Sequence, residues 1–418
     1  MYRKKIDYNK KFEALSRQKL YRKLSPDQKQ FIRNLAFIYR FTHQEFIHIL
    51  EIYHDLKQWG EINLEKWCSQ YYHDKSDSKE LFLSKLYNFI DSLRKSETVY
   101  MDTKPTGISR RNKPVVLKKS NKKIYGLCPV ASDKTLCCQL RTIDAVESCP
   151  YSCTYCVIQT FYTDKFIFDS DFSKKLRQIK IDRTKFYHFG SGQSSDALIW
   201  GNRNGILDSL CSFADENQNI LLEMKTKSDN VDYFLKTKIP GNIVCSWSLN
   251  TDIIIKNEEH FTTSLDQRLH AARTIADRGI KVAFHFHPMV YYKGWDTGYP
   301  KIASKIISLF KTEEVLFVSF GTVTLLRSTV KSIRELGYRT KITQMEMVPD
   351  PQGKLTYPDH IKIKLFKKIY QAFCQWHEDV FIYLCMEKPY IWKHSFGYLY
   401  KNNEEFERKF GEHTMKKL

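Results

Sequence analysis

The strongest constraint on the fold is a repeated alternation of strand-like and helix-like segments that begins near residue 139. Short apolar, β-branched or aromatic runs occur at 140–146, 186–190, 220–224, 243–249, 282–286 and 316–321. Helix-like stretches lie between them, at 203–216, 264–278 and 299–311. Repeated strand–helix units predict a parallel sheet. Because six units are too few for a closed eight-stranded barrel, we expect an open, partial (β/α)6 TIM-like barrel with its active site at the carboxyl ends of the strands.

Two capping boxes mark helix starts in the first hundred residues. Ser25 is followed by Gln28, and Thr42 is followed by Glu45, each before apolar residues at helical spacing. A helical hairpin is favoured over a DNA-binding helix-turn-helix, because the turn lacks glycine and the second helix is not especially basic. After the barrel, 359–377 predicts a helix and 380–384 a strand. The expected regions are a helical region at 1–102, a basic linker at 103–124, the barrel at 125–345 and an α/β extension that closes it at 346–418.

The charge of the chain favours a polyanionic partner. Its 418 residues include 67 Lys and Arg against 47 Asp and Glu, a formal net charge of +20. Nucleic acid is the commonest large polyanion in a cell, although a lysine-rich solvated surface is the alternative. The linker concentrates cations without any acid: Lys104, Arg110, Arg111, Lys113, Lys118, Lys119, Lys122 and Lys123. Such a segment suits a phosphate backbone, and a solvated tether between domains is the alternative.

No apolar run approaches the roughly 18–20 residues that a membrane span needs. The first residues have neither an apolar core nor a small-residue cleavage site. We therefore expect a cytoplasmic protein without a membrane segment. Eleven cysteines in such a chain indicate core thiols, metal ligands or catalytic groups rather than a disulfide framework.

Three cysteines form the most specific motif. Cys149, Cys153 and Cys156 have the spacing Cys-x3-Cys-x2-Cys and follow the first predicted strand. Three thiolates in one loop can hold three irons of a 4Fe–4S cluster and leave the fourth iron open for chemistry. A zinc site needs four protein ligands, or three and a water. No clean partner pair is evident, although further cysteines lie upstream at Cys128, Cys137 and Cys138. A cluster is favoured over zinc and over inert thiols.

This spacing at the end of the first strand of a partial barrel resembles the radical S-adenosylmethionine superfamily. Five stretches narrow the resemblance to the spore photoproduct lyase family: 149–162 (CPYSCTYCVIQTFY), 223–231 (EMKTKSDNV), 246–250 (SWSLN), 284–295 (FHFHPMVYYKGW) and 380–387 (VFIYLCME). The similarity covers about residues 120–400. It implies a radical enzyme with a 4Fe–4S cluster and S-adenosyl-L-methionine, in which the reduced cluster cleaves the cofactor and a radical then takes hydrogen from the substrate.

The resemblance also implies which residues contact the cofactor. Tyr155 matches an aromatic position near the adenine, and Ser195 matches a serine near the cofactor's carboxylate. Lys227 matches a lysine that makes a charge-assisted contact to the same carboxylate. Ser248 and Asn250 match polar groups that line the cofactor. A strand-end polar group without this role is the alternative for each residue alone.

Two positions depart from the family pattern. The founding enzyme has a cysteine hydrogen donor where this chain has Gln193, and a tyrosine after the third cluster cysteine where this chain has Val157. These differences put dimer repair by the same relay in doubt. We expect Cys245, near the strand end that carries Ser248, to be the catalytic thiol that returns hydrogen, with Cys385 as the alternative thiol. Either cysteine could instead be a core thiol.

The fifth predicted strand carries a pair of histidines, and a group of aromatic residues comes after it. His285 and His287 point to one side of the strand, and packing against substrate or cofactor is favoured over a metal pair. Four aromatics next to this strand could stack on bases or pack against one another: Tyr291, Tyr292, Trp295 and Tyr299.

Together these features predict a radical S-adenosylmethionine enzyme that acts on nucleic acid, DNA before RNA. Repair of ultraviolet pyrimidine dimers is the expected reaction, or a related radical reaction, with a reducing partner such as flavodoxin or ferredoxin. Two alternatives stay open. One is a radical enzyme that acts on another class of substrate, and the other is a nucleic-acid-binding protein whose iron–sulfur cluster senses redox state.

Overall fold

The computed structural model describes residues 7–71, 78–102, 105, 107–109, 112–128 and 134–418. Lys104, Arg110 and Arg111 of the basic linker lie outside the described residues. The described residues form two compact units. The first draws on 1–99, 105–108 and 327–347, and the second on 100–104, 109–326 and 348–418. The region boundaries expected from the sequence stay a prediction.

The first unit is helical. Its helices are α1 (Tyr8–Leu15), α2 (Lys19–Arg22), α3 (Pro26–Tyr39), α4 (His43–Trp59), α5 (Leu64–Tyr71), α6 (Lys79–Lys95) and, from much later in the chain, α13 (Arg327–Leu336). Both predicted capping boxes are confirmed, at Ser25 on α3 and at Thr42 on α4. The late helix is held by an ion pair in which Arg334 Nε lies 2.7 Å from Oδ1 of the buried Asp55.

The second unit is built on a curled eight-stranded sheet. In spatial order its strands are β2 (Tyr125–Leu127), β3 (Arg141–Ile143), β7 (Tyr187–Ser191), β8 (Ile220–Thr226), β9 (Ile243–Ser248), β11 (Lys281–Met289), β12 (Val315–Thr322) and β16 (Phe381–Leu384). Every neighbouring pair is parallel except β2 with β3. The parallel strands follow one another in chain order, as right-handed strand–helix repeats require. The expected partial barrel, preceded by a helical region, is confirmed.

Helices of the second unit follow or separate the barrel strands. They are α7 (Phe172–Arg177), α8 (Ile206–Glu216), α9 (Asp232–Lys236), α10 (Asp252–Glu258), α11 (Leu265–Ala276), α12 (Trp295–Leu309), α14 (Asp359–Ala372), α15 (Pro389–Phe396) and α16 (Asn403–Lys417). Among the described residues, no helix is long and apolar enough to cross a membrane.

Three small sheets complete the second unit. The first contains β1 (Val115–Lys118), β6 (Phe166–Asp169) and β4 (Val146–Glu147), in that order. The second pairs β5 (Ser152–Cys153) with β10 (Glu259–His260), and the third contains β13 (Thr324–Leu325), β15 (Leu355–Thr356) and β14 (Val348–Pro349). Because β1 lies within the basic linker and pairs in parallel with β6, this part of the linker is a strand and not a loose tether.

The barrel interior is polar near its centre. Glu223 of β8 accepts hydrogen bonds from Ser246 Oγ of β9 at 2.5 Å and from His188 Nε2 of β7 at 2.8 Å. Nε2 of His285 on β11 lies 2.5 Å from the same carboxylate. These contacts identify the inward-facing residues of each strand, because side chains alternate between the two faces of a sheet.

Candidate active site

The loop that carries the three cysteines is anchored on two sides. Cys153 lies in β5, where it pairs with Glu259 of β10 in an antiparallel bridge. On the other side, Ser195 Oγ donates a hydrogen bond of 2.9 Å to the carbonyl of Ser148, just before the first cysteine. The fold therefore ties the loop to the segments that follow β7 and α10, at the carboxyl ends of the barrel strands.

The thiols lie in largely apolar surroundings. Cys149 and Cys153 are buried, and Cys156 is partly exposed. The side chains packed around them are Tyr151, Tyr155, Tyr162, Ile199 and Phe261. Burial raises the pKa of Cys149 and of Cys153 above the ordinary thiol range. Both groups therefore keep their protons until a positively charged metal centre replaces them.

These residues fit a 4Fe–4S cluster better than a single metal ion. Among the residues that the structure describes, no group of three or more His, Cys, Asp or Glu side chains converges on one point, as a zinc ion would need. A cubane cluster instead takes each thiolate on a different iron. Three thiols on one anchored loop, inside an aromatic shell, match that demand.

A buried carboxylate joins three of the predicted cofactor residues. Tyr155 donates a hydrogen bond of 2.5 Å to Oε1 of Glu259. Lys227 Nζ and Asn250 Nδ2 each lie 3.4 Å from the same oxygen. The other oxygen of Glu259 is 2.7 Å from a guanidinium nitrogen of Arg268, which is fully buried. The structure therefore brings together residues that are far apart in the sequence.

Two cationic neighbours stabilise the ionised form of the Glu259 carboxylate. Burial opposes ionisation of Glu259, but Arg268 and Lys227 outweigh that effect and lower its pKa to about 2. The carboxylate is thus ionised at neutral pH and fixes the positions of Lys227, Tyr155 and Asn250. Glu259 and Arg268 were not predicted from the sequence. No motif marks them: Glu259 reaches the cysteine loop through the pairing of β10 with β5, and Arg268 reaches Glu259 from α11.

The two remaining predicted cofactor residues make supporting contacts. Ser195 Oγ accepts a hydrogen bond of 2.9 Å from the indole nitrogen of Trp200, in addition to its bond to the cysteine loop. Ser248 ends β9, and its carbonyl accepts a hydrogen bond of 2.8 Å from Arg268. Next to Ser248, Asn250 accepts a hydrogen bond of 2.9 Å from the Tyr299 hydroxyl. All five predicted residues therefore lie in the network around the cysteine loop or next to it.

The placement of Cys245 does not match its predicted role. It is the third residue of β9 and not the last, and it is fully buried. Its neighbour Ser246 points into the barrel and donates a hydrogen bond to Glu223, so Cys245 points to the outer face of the sheet. The thiol of Cys211 on α8 lies near it there and contributes to raising the pKa of Cys245. Strand parity thus directs this thiol away from Glu223, and its role in returning hydrogen stays a prediction. Cys385, which follows β16, is partly exposed at the barrel mouth.

The remaining candidate residues have clear positions. His285 and His287 both point into the barrel and contact Ser319, so the histidine pair is part of a hydrogen-bond network. Gln193 follows the turn after β7, and Val157 begins the short 3-10 helix after the third cysteine. Four aromatic residues near the end of β11 are buried: Tyr291, Tyr292, Trp295 and Tyr299. Their burial favours packing of these rings within the protein over stacking on nucleic-acid bases.

A partial parallel barrel with three cysteines on a loop at its mouth is the arrangement of the radical S-adenosylmethionine superfamily. The family model described as spore photoproduct lyase matches residues 139–356, a little over half of the chain. The chain belongs to the spore photoproduct lyase family.

Curated relatives agree with this assignment over part of their length. The spore photoproduct lyase of Geobacillus sp. is 28% identical over 163 residues, which are 38% of this chain and 48% of that protein. The lyase of Bacillus subtilis is 26% identical over 170 residues, which are 39% of this chain and 50% of that protein. The chain thus spans about half the length of the curated relatives it matches.

Solved structures share the fold. A spore photoproduct lyase complexed with dinucleoside spore photoproduct gives a TM-score of 0.55 at 17% identity, over 73% of this chain and 94% of that one. A mutant with bound AdoMet and dinucleoside spore photoproduct gives 0.55 at 20% identity, over 64% of this chain and 81% of that one. At these identities the likeness shows the fold alone.

Replacing Glu259 by Gln is expected to lower the free energy of unfolding by about 3–5 kcal/mol, because the buried Arg268 loses its carboxylate partner. Urea unfolding of the full chain measures the change. Asp266→Asn, which removes an exposed carboxylate from its pair with Lys305, is the control and should leave stability unchanged.

The pH dependence of stability gives a second check on Glu259. Since the pKa of Glu259 is lowered from 4.5 to about 2, its contribution is complete above pH 4.5 and is lost as the pH falls towards 2. Equal stability of the wild type and Glu259→Gln would contradict the buried ion pair between Glu259 and Arg268.

Proposed function

We propose that the chain is a radical S-adenosylmethionine enzyme of the lyase type that acts on pyrimidine dimers in nucleic acid, DNA before RNA. The observation that carries the proposal is the anchored cysteine loop beside the Glu259 network, on the fold of spore photoproduct lyases. Three of the similar solved structures hold dinucleoside spore photoproduct, and one of these also holds AdoMet. When bound, the cluster and AdoMet supply a radical that removes hydrogen from the substrate.

The residues of this chain would hold those groups as follows. Cys149, Cys153 and Cys156 would each bind one iron. Lys227 would bind the carboxylate of AdoMet. The ammonium group of Lys227 donates one N–H to Glu259, which leaves its other N–H donors for the cofactor. Tyr155 lies between the second and third cysteines, on the side of Lys227, whose Nζ is 5.8 Å from the centre of its ring. The place of Tyr155 beside the adenine rests on the family resemblance, and the contact puts Tyr155 in the same pocket as Lys227.

Ser195, Ser248 and Asn250 would complete the cofactor pocket. Ser195 holds the loop before Cys149, so its effect on cofactor binding would include positioning that loop. Asn250 Nδ2 donates to the Pro288 carbonyl at 2.9 Å, which fixes the direction of its amide. We further propose a cytoplasmic location and reduction by a flavodoxin or ferredoxin.

A related radical reaction on nucleic acid is the second candidate. Gln193 and Val157 favour it, because they replace the residues that return hydrogen in the founding enzyme of the family. Neither an amide nor an isopropyl group has a weakly bound hydrogen atom to give. A dimer-repairing enzyme with these residues needs another donor, and Cys385, which is partly exposed and follows β16, is our candidate.

Product analysis tests the proposed reaction. The full chain is reconstituted anaerobically with iron and sulfide, and then given AdoMet, dithionite and a dinucleotide that carries spore photoproduct. Mass analysis is expected to show conversion to two intact thymines. Cofactor cleavage without change in spore photoproduct or any other pyrimidine dimer would contradict the proposal and favour another class of substrate.

Neutralising the lysines of the linker should weaken DNA binding. Lys119 pairs with Asp171 and Lys122 with Glu147, but all these lysines are exposed, and Lys118 and Lys123 have no carboxylate partner among the described residues. Changing all four lysines to Gln is expected to flatten the dependence of log K on log salt concentration by roughly 0.9 per lost contact.

Lys236 and Lys238, which are exposed and precede β9 at the opposite end of the barrel strands, provide the matched control. Changing both to Gln should leave the salt slope unaltered. An unaltered slope in the linker variant as well would mean that the linker does not contact phosphates.

A further inference from the structure

The upper end of the barrel interior carries polar side chains that the proposed cluster and cofactor sites do not use. On three strands, alternate residues point inwards as pairs: Glu223 and Lys225 on β8, His285 and His287 on β11, and Tyr383 and Cys385 at the end of β16. The first member of each pair is buried, and the second is partly exposed. We call Lys225, His287 and Cys385 the mouth floor, because they are the partly exposed members of these inward-facing pairs.

A chain of hydrogen bonds determines which atoms of the mouth floor donate and which accept. His285 Nε2 lies 2.5 Å from Glu223 and must donate, because a carboxylate only accepts. His285 Nδ1 therefore accepts from Ser319 Oγ at 2.5 Å, and Ser319 in turn accepts from His287 Nε2 at 3.1 Å. This leaves His287 Nδ1 as an acceptor that faces Lys225 Nζ at 3.4 Å.

The protonation states agree with that chain. Burial, followed by the nearby Lys225, lowers the pKa of His285 to about 4 and that of His287 well below its ordinary range. Both imidazoles are therefore neutral at pH 7. Burial opposes protonation of His188, but hydrogen bonds to Cys138 and Glu223 raise its pKa to about 9. His188 therefore balances the charge of Glu223.

Lys225 is left as an uncompensated cation. Its nearest polar contact is the neutral ring of His287, and no carboxylate pairs with it among the residues that the structure describes. An ammonium group has three N–H donors, and the contact with His287 uses one of them. Because Lys225 is partly buried and has no carboxylate partner among the described residues, it is available to pair with an oxygen atom of a ligand.

We propose that Lys225 donates a hydrogen bond to an oxygen of the bound substrate, either a pyrimidine carbonyl or the phosphate that links the two nucleosides. The inference rests on the proposed function and adds the group that recognises the substrate. Lys227, two residues on, does not serve this role because Glu259 holds it at the cysteine loop. His287 orients Lys225, and the absence of a side chain at Gly321 makes room for the imidazole, since a Cβ there would lie 3.2 Å from the ring.

Binding without turnover tests the inference. The reconstituted full chain is loaded with AdoMet, reductant is omitted, and affinity is measured for dinucleoside spore photoproduct, which lacks the phosphate, and for the matching dinucleotide. Lys225→Met should weaken binding about 10- to 100-fold, as expected for loss of a charge-assisted hydrogen bond. A loss for the dinucleotide alone assigns the phosphate as the acceptor, and an equal loss for both ligands assigns a pyrimidine carbonyl.

Controls separate binding from folding. Lys225→Arg keeps the charge and should retain most of the affinity, and Lys236→Met, at an exposed position on α9, should retain all of it. If Lys225→Met does not fold, Lys225→Gln replaces it. Unchanged affinity of the folded variant for both ligands would overturn the inference and leave the proposed function intact. A wild-type protein that binds neither ligand would overturn both.

Discussion

Replacing Cys149, Cys153 and Cys156 together by Ala is expected to reduce the iron content of the reconstituted protein from about four per chain to none. All cleavage of AdoMet should be lost with it. The physical reason is that the anchored loop supplies every thiolate that the proposed cluster uses. Iron and sulfide analysis, together with the visible absorption of the cluster, measures the result.

The matched control removes three thiols elsewhere. Cys68 lies on α5, Cys211 on α8 and Cys374 in a short 3-10 helix. The Cys68, Cys211, Cys374→Ala variant should keep about four irons and normal cofactor cleavage. A complete cluster in the variant that lacks the three loop cysteines would contradict the assignment of the cluster to this loop.

Replacing Cys385 by Ala is expected to abolish incorporation of solvent deuterium into the repaired product. A thiol exchanges its hydrogen with D2O, so a product formed by the wild-type enzyme in D2O should carry one deuterium. Burial raises the pKa of Cys385 well above the ordinary thiol range. The group therefore stays in the S–H form, which can give up a hydrogen atom, at neutral pH.

Cys385 would give a hydrogen atom to the substrate radical. The S–H bond breaks homolytically, and a C–H bond forms at the substrate carbon that holds the unpaired electron. The sulfur returns to the thiol by taking one electron from the reductant and one proton from water. Cofactor cleavage should continue in Cys385→Ala, while the product shifts to adducts of the unquenched radical.

Two other variants make this experiment decisive. Cys211→Ala removes a buried thiol on the outer side of the barrel and should not change the label. Cys245→Ala should also leave it in place, because strand parity directs that thiol away from the interior. Loss of deuterium in Cys245→Ala instead of Cys385→Ala would restore the role that the sequence suggests for Cys245. An unlabelled wild-type product would exclude every thiol.

The sequence was sufficient to predict the strands of the barrel, because their signal is local. The run at 220–224 corresponds to β8 (Ile220–Thr226), and the run at 243–249 corresponds to β9 (Ile243–Ser248). Consecutive parallel strands then follow from the rule for crossover connections. The strand β1 was missed, since Val115–Lys118 is short and exposed and is stabilised by pairing with β6, which no local pattern shows.

The site was only partly predictable for a related physical reason. The cysteine motif is a local spacing and could be read directly. Glu259 and Arg268 act through tertiary contacts, the pairing of β10 with β5 and the ion pair from α11, which no local sequence pattern shows. The direction of the Cys245 side chain was not predicted from the sequence, and it is opposite to that of Ser246 because successive residues of a strand point to opposite faces.

The most direct test of the central claim is the reductive cleavage of AdoMet by the anaerobically reconstituted full chain. Dithionite is the reductant, and chromatography quantifies 5′-deoxyadenosine and methionine. The account predicts about four irons per chain and formation of both products, each dependent on Cys149, Cys153 and Cys156. A protein that holds a complete cluster on these cysteines but forms no 5′-deoxyadenosine under reduction would contradict the radical mechanism and favour a redox sensor.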